Sequence, residues 1–115
     1  MTPRLRSDIV VAALLRRAYA AGDYGAVLRK GSAEAGAIFI RQRRRDGSER
    51  LFGPAPQSLV GDEGRARLFE ARAAAGEDGI DAILAREIRF DPDCWIVEVE
   101  AERIETLIDL AGEGG

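Results

Sequence analysis

Arginine is the residue type with the clearest chemical potential in this sequence. Five arginines lie in or around one predicted hairpin: Arg41, Arg43, Arg44, Arg45 and Arg50. Such a cluster of guanidinium groups could contact the phosphates of a nucleic acid. A solvated hairpin tip whose charges deter edge-to-edge strand pairing explains the same pattern without a ligand. The nearby aromatic residues, Phe39 and Phe52, fit a core better than a platform for stacking bases.

Acidic residues near the C-terminus form a second candidate group, which could bind a hard cation or serve a carboxylate-based hydrolase. The group is Asp91, Asp93, Glu98, Glu100 and Glu102. Its spacing matches no calcium-loop pattern. Glu98 and Glu100 would lie on one strand face, where they could pair with Arg41 or Arg43 of a neighbouring strand. We therefore predict no metal site and no cofactor.

Histidine is absent, and the sequence contains one cysteine, Cys94. Without an imidazole, the chain lacks the commonest general base and the commonest metal ligand. Cys94 has no histidine to activate it, so we interpret it as a buried free thiol that behaves as a small hydrophobic group. A single cysteine excludes an internal disulfide and favours a reducing compartment, which predicts a cytoplasmic protein.

The composition is that of an ordinary globular protein. A formal net charge of −3 directs the chain toward neither nucleic acid nor anionic membrane. The length of 115 residues favours a single domain over residues 1–115, with loose tails at 1–6 and 112–115. No apolar run approaches the roughly 20 residues of a membrane span.

A strand near the C-terminus is predicted as the centre of the fold, because its side chains alternate with period two. One side carries Trp95, Val97 and Val99, and the other carries Cys94, Ile96, Glu98 and Glu100. Pro92 disfavours helical geometry at Asp91 and so ends the preceding helix. Burying the only tryptophan can remove roughly 200 Å² from water, so we expect Trp95 in the core with its N–H bonded.

Three segments predict helices, because apolar residues recur there at helical spacing. They are 8–21, 79–90 and a short tail near 104–111. Ser7 or Asp8 is the expected N-cap of the first helix, and Gly22 the residue that follows its C-terminus. The apolar stripe of the second helix runs from Ile80 through Phe90.

Charge predicts the register of the arginine hairpin. A two-residue turn at Asp46 and Gly47 would place Arg43 opposite Arg50, and like charges in that position destabilise a ladder. A three-residue loop with a left-handed Gly47 instead places Arg43 opposite Glu49. We therefore predict the three-residue loop, with positive φ at Gly47 alone.

Together these elements predict an α+β domain with a single antiparallel sheet of four or five strands and the two main helices packed mostly on one face. Further strands are expected at 25–31 and 36–44. Residues 65–72 have high helix propensity but no apolar stripe at helical spacing, so a strand is expected there with a helix as the alternative. The first half of the 36–44 strand is apolar on both faces, so both faces should be covered there.

Several blocks resemble a known family: VAALLRRAYAAG, VLRKGSAEAGAIFI, LFGPAP and REIRFDPDCWIVEVE. They are similar to domain-of-unknown-function family 1491, which comprises short alphaproteobacterial proteins with no assigned activity. The resemblance spans nearly the whole chain and implies no functional residue. This chain has Ile9 and Val10 where the family tends to show an aromatic residue, and Cys94 where leucine is usual.

The leading functional hypothesis is a non-enzymatic interaction module that binds another protein or a second copy of itself. Catalytic constellations are missing, and the predicted strands carry more apolar surface than two helices readily cover. The alternative is a nucleic-acid-binding accessory protein that uses the arginine hairpin, and a hydrolase at the acidic group is a third. Trp95, Pro92 and Gly47 are assigned structural roles.

Overall fold

A computed structural model of the protein describes residues 5–56, 67–75 and 77–111. Most of the two tails predicted to be loose, and the first two residues of the predicted 65–72 strand, lie outside these residues. The elements in chain order are α1 (Ser7–Ala20), β1 (Tyr24–Arg29), β2 (Ile38–Arg43), β3 (Glu49–Pro54), β4 (Leu68–Ala75), α2 (Glu77–Phe90), β5 (Trp95–Glu100), a 3-10 turn (Ile104–Thr106) and β6 (Asp109–Leu110).

The strands form one mixed sheet in the order β1-β5-β2-β3-β4-β6. The β5–β2 and β4–β6 pairs are parallel, and the other neighbours are antiparallel. The prediction of α+β architecture is confirmed, but the purely antiparallel sheet of four or five strands is wrong. Because α2 carries the chain back across the sheet, β5 enters between β1 and β2 and runs parallel to β2.

The two helices pack on opposite faces of this sheet, so the prediction that they share one face is also wrong. On one face, α1 covers the even-numbered residues of β2, such as Ile40, and the odd-numbered residues of β5, such as Val97. On the other face, α2 covers Phe39 and Ile96. Since β2 and β5 carry apolar side chains on both sides, each side needs its own helix.

Helix α1 ends as predicted but begins differently. Gly22 has φ of +82°, and the N–H groups of Gly22 and Asp23 donate to the carbonyl oxygens of Tyr19 and Ala18, at 3.1 and 2.8 Å. At the other end Arg6 occupies the N-cap position with no side-chain cap, so the expected Ser7 or Asp8 cap is wrong. The buried Ser7 hydroxyl instead donates to the Gly36 carbonyl oxygen at 2.6 Å.

The hairpin register is confirmed. Arg43 pairs with Glu49, and the Arg44 N–H donates to the Ser48 carbonyl oxygen at 2.9 Å. Gly47 has φ of +88°, and among the described residues no amino acid other than glycine has positive φ. The three-residue loop therefore avoids the pairing of like charges that a shorter turn would impose.

The strand at Trp95 is also confirmed. Trp95 is buried, and its indole N–H donates to the Ser32 carbonyl oxygen at 2.7 Å. Before it, α2 ends at Phe90 and Asp91 closes a tight turn by accepting the Asp93 N–H at 3.0 Å. The predicted tail helix is wrong: after a 3-10 turn the chain forms β6, because Ile104 and the residues after it pack onto the α1 face.

Candidate functional site

The structure distributes the five hairpin arginines among three environments, and Arg41 occupies the most buried of them. Its side chain is 8% exposed and contacts two carboxylates, with Nε 2.5 Å from Glu49 Oε1 and Nη1 2.6 Å from Asp81 Oδ1. Burial by itself would lower the pKa of Arg41, but the hydrogen bonds to Glu49 and Asp81 outweigh it and raise the pKa. Arg41 therefore joins β2, β3 and α2 electrostatically.

Arg43 and Arg50 are partly exposed and engaged within the protein. Arg43 Nη2 lies 3.4 Å from Glu49 Oε2, and its Nη1 lies 3.8 Å from Glu98 Oε2. The Arg50 guanidinium carbon lies 5.0 Å from the centroid of the Phe52 ring, and its Nε donates to Gln42 Oε1 at 3.0 Å. These two side chains therefore contact residues of neighbouring strands on opposite faces of the sheet.

Arg44 and Arg45 belong to the hairpin tip, where they line a surface pocket of about 460 Å³ together with Arg43. Its remaining walls are Gly22, Asp23, Tyr24, Glu100, Ala101 and Glu102. Glu102 accepts the Arg45 backbone N–H at 2.7 Å. The pocket therefore presents charges of both signs, and its carboxylates oppose the binding of a phosphate.

The acidic residues near the C-terminus do not converge. Asp91 serves the turn before β5, whereas Glu98 faces Arg43 and Glu102 holds the hairpin backbone. In the part of the chain that the structure describes, no group of three or more acidic or cysteine side chains is arranged to hold a metal ion. A hydrolytic centre built on these carboxylates gains no support from this geometry.

Cys94 lies fully buried in the cluster under α2. Burial raises the pKa of its thiol, and a hydrogen bond with Arg29 opposes that rise only in part. Since the thiolate is the nucleophilic form, a raised pKa keeps Cys94 unreactive near neutral pH. Its environment matches the predicted small hydrophobic group.

The outer edge of β1 is a candidate binding surface in the described part of the chain. Its outer side pairs with no strand among the described residues. Four large side chains are exposed there: Tyr19 of α1 (56%), Tyr24 (52%), Val27 (39%) and Leu28 (53%). We call Tyr19 together with residues 23–30 the β1 edge. Leu28 is displaced by a β-bulge, because Val27 pairs with Val97 whereas Arg29 pairs with Ile96.

The backbone hydrogen bonds at the two ends of β5 show which backbone groups of β1 face outward. The Trp95 N–H donates to the carbonyl oxygen of Ala37, just before β2, and the N–H of Ala101, just after β5, donates to that of Arg43 in β2. Odd-numbered residues of β5 therefore face β2. Even-numbered residues of β5 therefore face β1, where they pair with Tyr24 and Ala26. It follows that Gly25 and Val27 direct their N–H and C=O groups away from the sheet.

The sequence predicted the strand at 25–31 but did not mark it as an edge. The available signal was the adjacent pair Val27 and Leu28, which breaks alternation and coincides with the bulge. An exposed apolar residue also appears at Phe90, which is 83% exposed. The predicted apolar stripe of α2 therefore ends before Phe90, because the chain turns away from the sheet there.

Fold and surface together define a small α+β protein whose six-stranded mixed sheet lies between two helices. The family model described as "Protein of unknown function (DUF1491)" matches residues 5–109, and the chain belongs to that family. No curated protein matches the chain. None of the helices in the described residues is both long and apolar enough to span a bilayer.

Solved structures support this assignment. The solution structure of protein Atu0922 from A. tumefaciens is 52% identical, with a TM-score of 0.83 over 93% of this chain and 94% of that chain. The crystal structure of a DUF1491 family protein from Caulobacter crescentus CB15 is 34% identical, with a TM-score of 0.76 over 92% of this chain and 97% of that chain. The resemblance predicted from the sequence blocks is thereby confirmed.

Proposed function

We propose that this protein is a non-catalytic interaction module that binds an extended protein segment along the β1 edge. The observation that carries the proposal is the coincidence of outward backbone groups at Gly25 and Val27 with half-exposed apolar side chains at Tyr24 and Leu28. Exposed strand edges usually carry charges or proline that deter pairing. The centre of this edge carries neither, which is the property of a surface that pairs with a partner.

Strand addition explains how such a surface would work. The backbone of the added segment would supply hydrogen bonds, and alternate side chains would supply specificity. The Tyr19 hydroxyl donates to the Gly25 carbonyl oxygen at 2.6 Å, so this group accepts a hydrogen bond from outside the β1–β5 ladder. A buried unreactive thiol at Cys94 and the dispersed carboxylates favour binding over catalysis, and we place the protein as one domain in the reducing cytoplasm.

A photo-crosslinking experiment tests this proposal. A photoreactive phenylalanine analogue replaces Leu28, which is exposed, and in a matched control it replaces Arg86, which is exposed on α2. In living bacterial cells at natural expression, we expect discrete protein adducts from position 28 and none from position 86. Absence of adducts at position 28, or the same adducts from both positions, would refute the assignment of the β1 edge.

Binding of nucleic acid is the second candidate, with the exposed Arg45 and the half-buried Arg44 as the available cations and the carboxylates of the same pocket opposing it. Arg41 contributes little to this surface, because it is buried between carboxylates. We expect any binding of RNA or DNA to weaken with added salt and to be lost when Arg43, Arg44 and Arg45 become alanine. Binding that is insensitive to salt or unchanged in this variant excludes the candidate.

A further inference from the structure

We propose that the strand received by the β1 edge is β1 of a second copy of this chain, paired antiparallel about a two-fold axis at Ala26. This inference rests on the proposed function and specifies its partner. Three features of the edge support a second copy over an unrelated segment: the backbone pattern, the bulge and the order of the charges.

The backbone pattern is self-complementary about Ala26. With Ala26 opposite Ala26, Gly25 of each copy lies opposite Val27 of the other, and both residues direct their N–H and C=O groups outward. In an antiparallel ladder such a pair exchanges two hydrogen bonds, and the two-fold axis generates a second pair. The Tyr19 hydroxyl uses one lone pair of the Gly25 carbonyl oxygen and leaves the other available.

Side-chain size agrees with this register. Leu15 of α1 occupies the position that a Cβ of Gly25 would take, so Val27 of the second copy would pack beside Leu15 on the same face of the joined sheet. Val27 is next to the proposed axis at Ala26, and it is 39% exposed in the single chain. The proposed pairing would remove this valine from water on both copies, which adds a hydrophobic contribution to the hydrogen bonds.

The bulge at Leu28 aligns the two ends of the strand. Tyr24 pairs with Glu100 and Arg29 pairs with Ile96, so both side chains lie on the α2 face. Without the extra residue they would lie on opposite faces, because side chains alternate along a strand. With Leu28 bulged, Arg29 of one copy lies opposite Tyr24 of the other on the same face, while its guanidinium keeps the hydrogen bond to the Pro92 carbonyl oxygen at 2.7 Å.

Charge order then decides the direction of pairing. The edge begins with an acid, Asp23, and ends with a base, Lys30. Antiparallel pairing of two copies places Asp23 of each opposite Lys30 of the other, on the α1 face. Parallel pairing would instead place like charges together, which destabilises neighbouring strands. The order of charges along the edge is therefore complementary to that of an antiparallel second copy.

Sedimentation of the purified full chain, from low micromolar to near-millimolar concentration, tests the inference through charge reversal. We expect wild type to dimerise, and Asp23→Lys and Lys30→Asp each to weaken dimerisation about tenfold or more, since each variant sets like charges opposite at two symmetric places. An equimolar mixture of the two variants should form a heterodimer that neither forms alone. Glu105→Lys, an exposed charge reversal outside the edge, should dimerise like wild type.

A monomeric wild type overturns the inference, and so does a mixture that stays monomeric or a single variant that dimerises like wild type. Circular dichroism confirms that each variant is folded before it is scored. The proposed function fails separately: a monomeric protein that still yields adducts of another protein at position 28 is an interaction module without self-pairing. A monomeric wild type that also yields no adducts at position 28 rejects both the self-pairing and the proposed function.

Discussion

The two faces of the sheet are stabilised by different means. On the α1 face, a continuous apolar cluster extends from Val11 of α1 through Val97 of β5 to Ile108 near the C-terminus. On the α2 face, a smaller apolar cluster around Ile80 borders an ionic network centred on Arg41. The α1 face of the sheet is therefore stabilised mainly by apolar packing, whereas the α2 face also depends on ion pairs.

Two adjacent residues of β2 show how this difference arises. Gln42 points to the α1 face, where it is fully buried and neutral, and its Nε2 donates to the Ala101 carbonyl oxygen at 2.8 Å. Arg41 points to the α2 face, where Glu49 and Asp81 compensate its charge. A neutral amide needs only hydrogen bonds when buried, whereas a guanidinium also needs an opposite charge.

Glu49→Ala should have the largest effect. The Glu49 side chain is 4% exposed, and its loss removes the buried carboxylate partner of Arg41 while the largely exposed Asp81 remains, so we expect a decrease of about 3–5 kcal/mol in the free energy of unfolding. Asp81 is 58% exposed, and Asp81→Asn should cost about 1 kcal/mol or less. Chemical denaturation of both variants measures the difference, and equal costs would show that Arg41 is hydrated rather than buried.

Leu14→Ala and Leu84→Ala compare the two apolar clusters directly. Each should cost about 2–5 kcal/mol, with Leu14 toward the upper end because it is 1% exposed and belongs to the larger cluster, whereas Leu84 is 6% exposed. Denaturation curves for the pair provide the measurement. A greater loss at Leu84 would mean that α2, not α1, covers the tighter core.

Trp95→Phe removes one hydrogen bond and part of a buried ring on the α1 face. Loss of the indole N–H leaves the Ser32 carbonyl oxygen without this donor, which should cost about 1–3 kcal/mol. Tyr19→Phe is the matched control, because it removes a hydroxyl that also donates to a carbonyl oxygen but lies at an exposed edge. Far-UV circular dichroism follows unfolding in both, since the tryptophan signal is absent from one. Similar losses would contradict the burial of the Trp95 site.

The smallest effect concerns pH and the Cys94 thiol on the α2 face. Burial raises its folded-state pKa, so its contribution to stability is present below the unfolded pKa of about 8.5 and is lost as pH rises through the folded pKa. Wild type should lose more stability than Cys94→Ala between neutral and alkaline pH. Parallel denaturation series at several pH values check this, and identical pH profiles would contradict it.

Features decided by neighbouring residues were predictable from the sequence. The hairpin register followed from the like charges that a shorter turn would oppose, and Gly47 has the expected positive φ. The end of α2 before Pro92 and the buried Trp95 followed from backbone restriction and from alternation. The N-cap at Ser7 was mispredicted, because a contact with Gly36, distant in sequence, takes the hydroxyl that a local cap would use.

The candidate site was predictable only in part. The sequence showed a strand with adjacent apolar residues at Val27 and Leu28, but exposure depends on whether another strand covers them. The sequence also grouped Arg41 with Arg44 and Arg45. In the structure Arg41 lies in a buried ionic network, whereas the other two line a surface pocket. Side-chain type predicts charge, whereas accessibility depends on elements that come from elsewhere in the chain.

By itself, the sequence determined the identity and approximate limits of the main helices and strands, the hairpin register and the absence of imidazole chemistry. These properties depend on side-chain type and on contacts within a few residues. Only the tertiary structure decided that β5 enters between β1 and β2, that the helices cover opposite faces and that β1 remains an edge. Pairing between distant strands depends on the combined free energy of many non-local contacts, which no local pattern records.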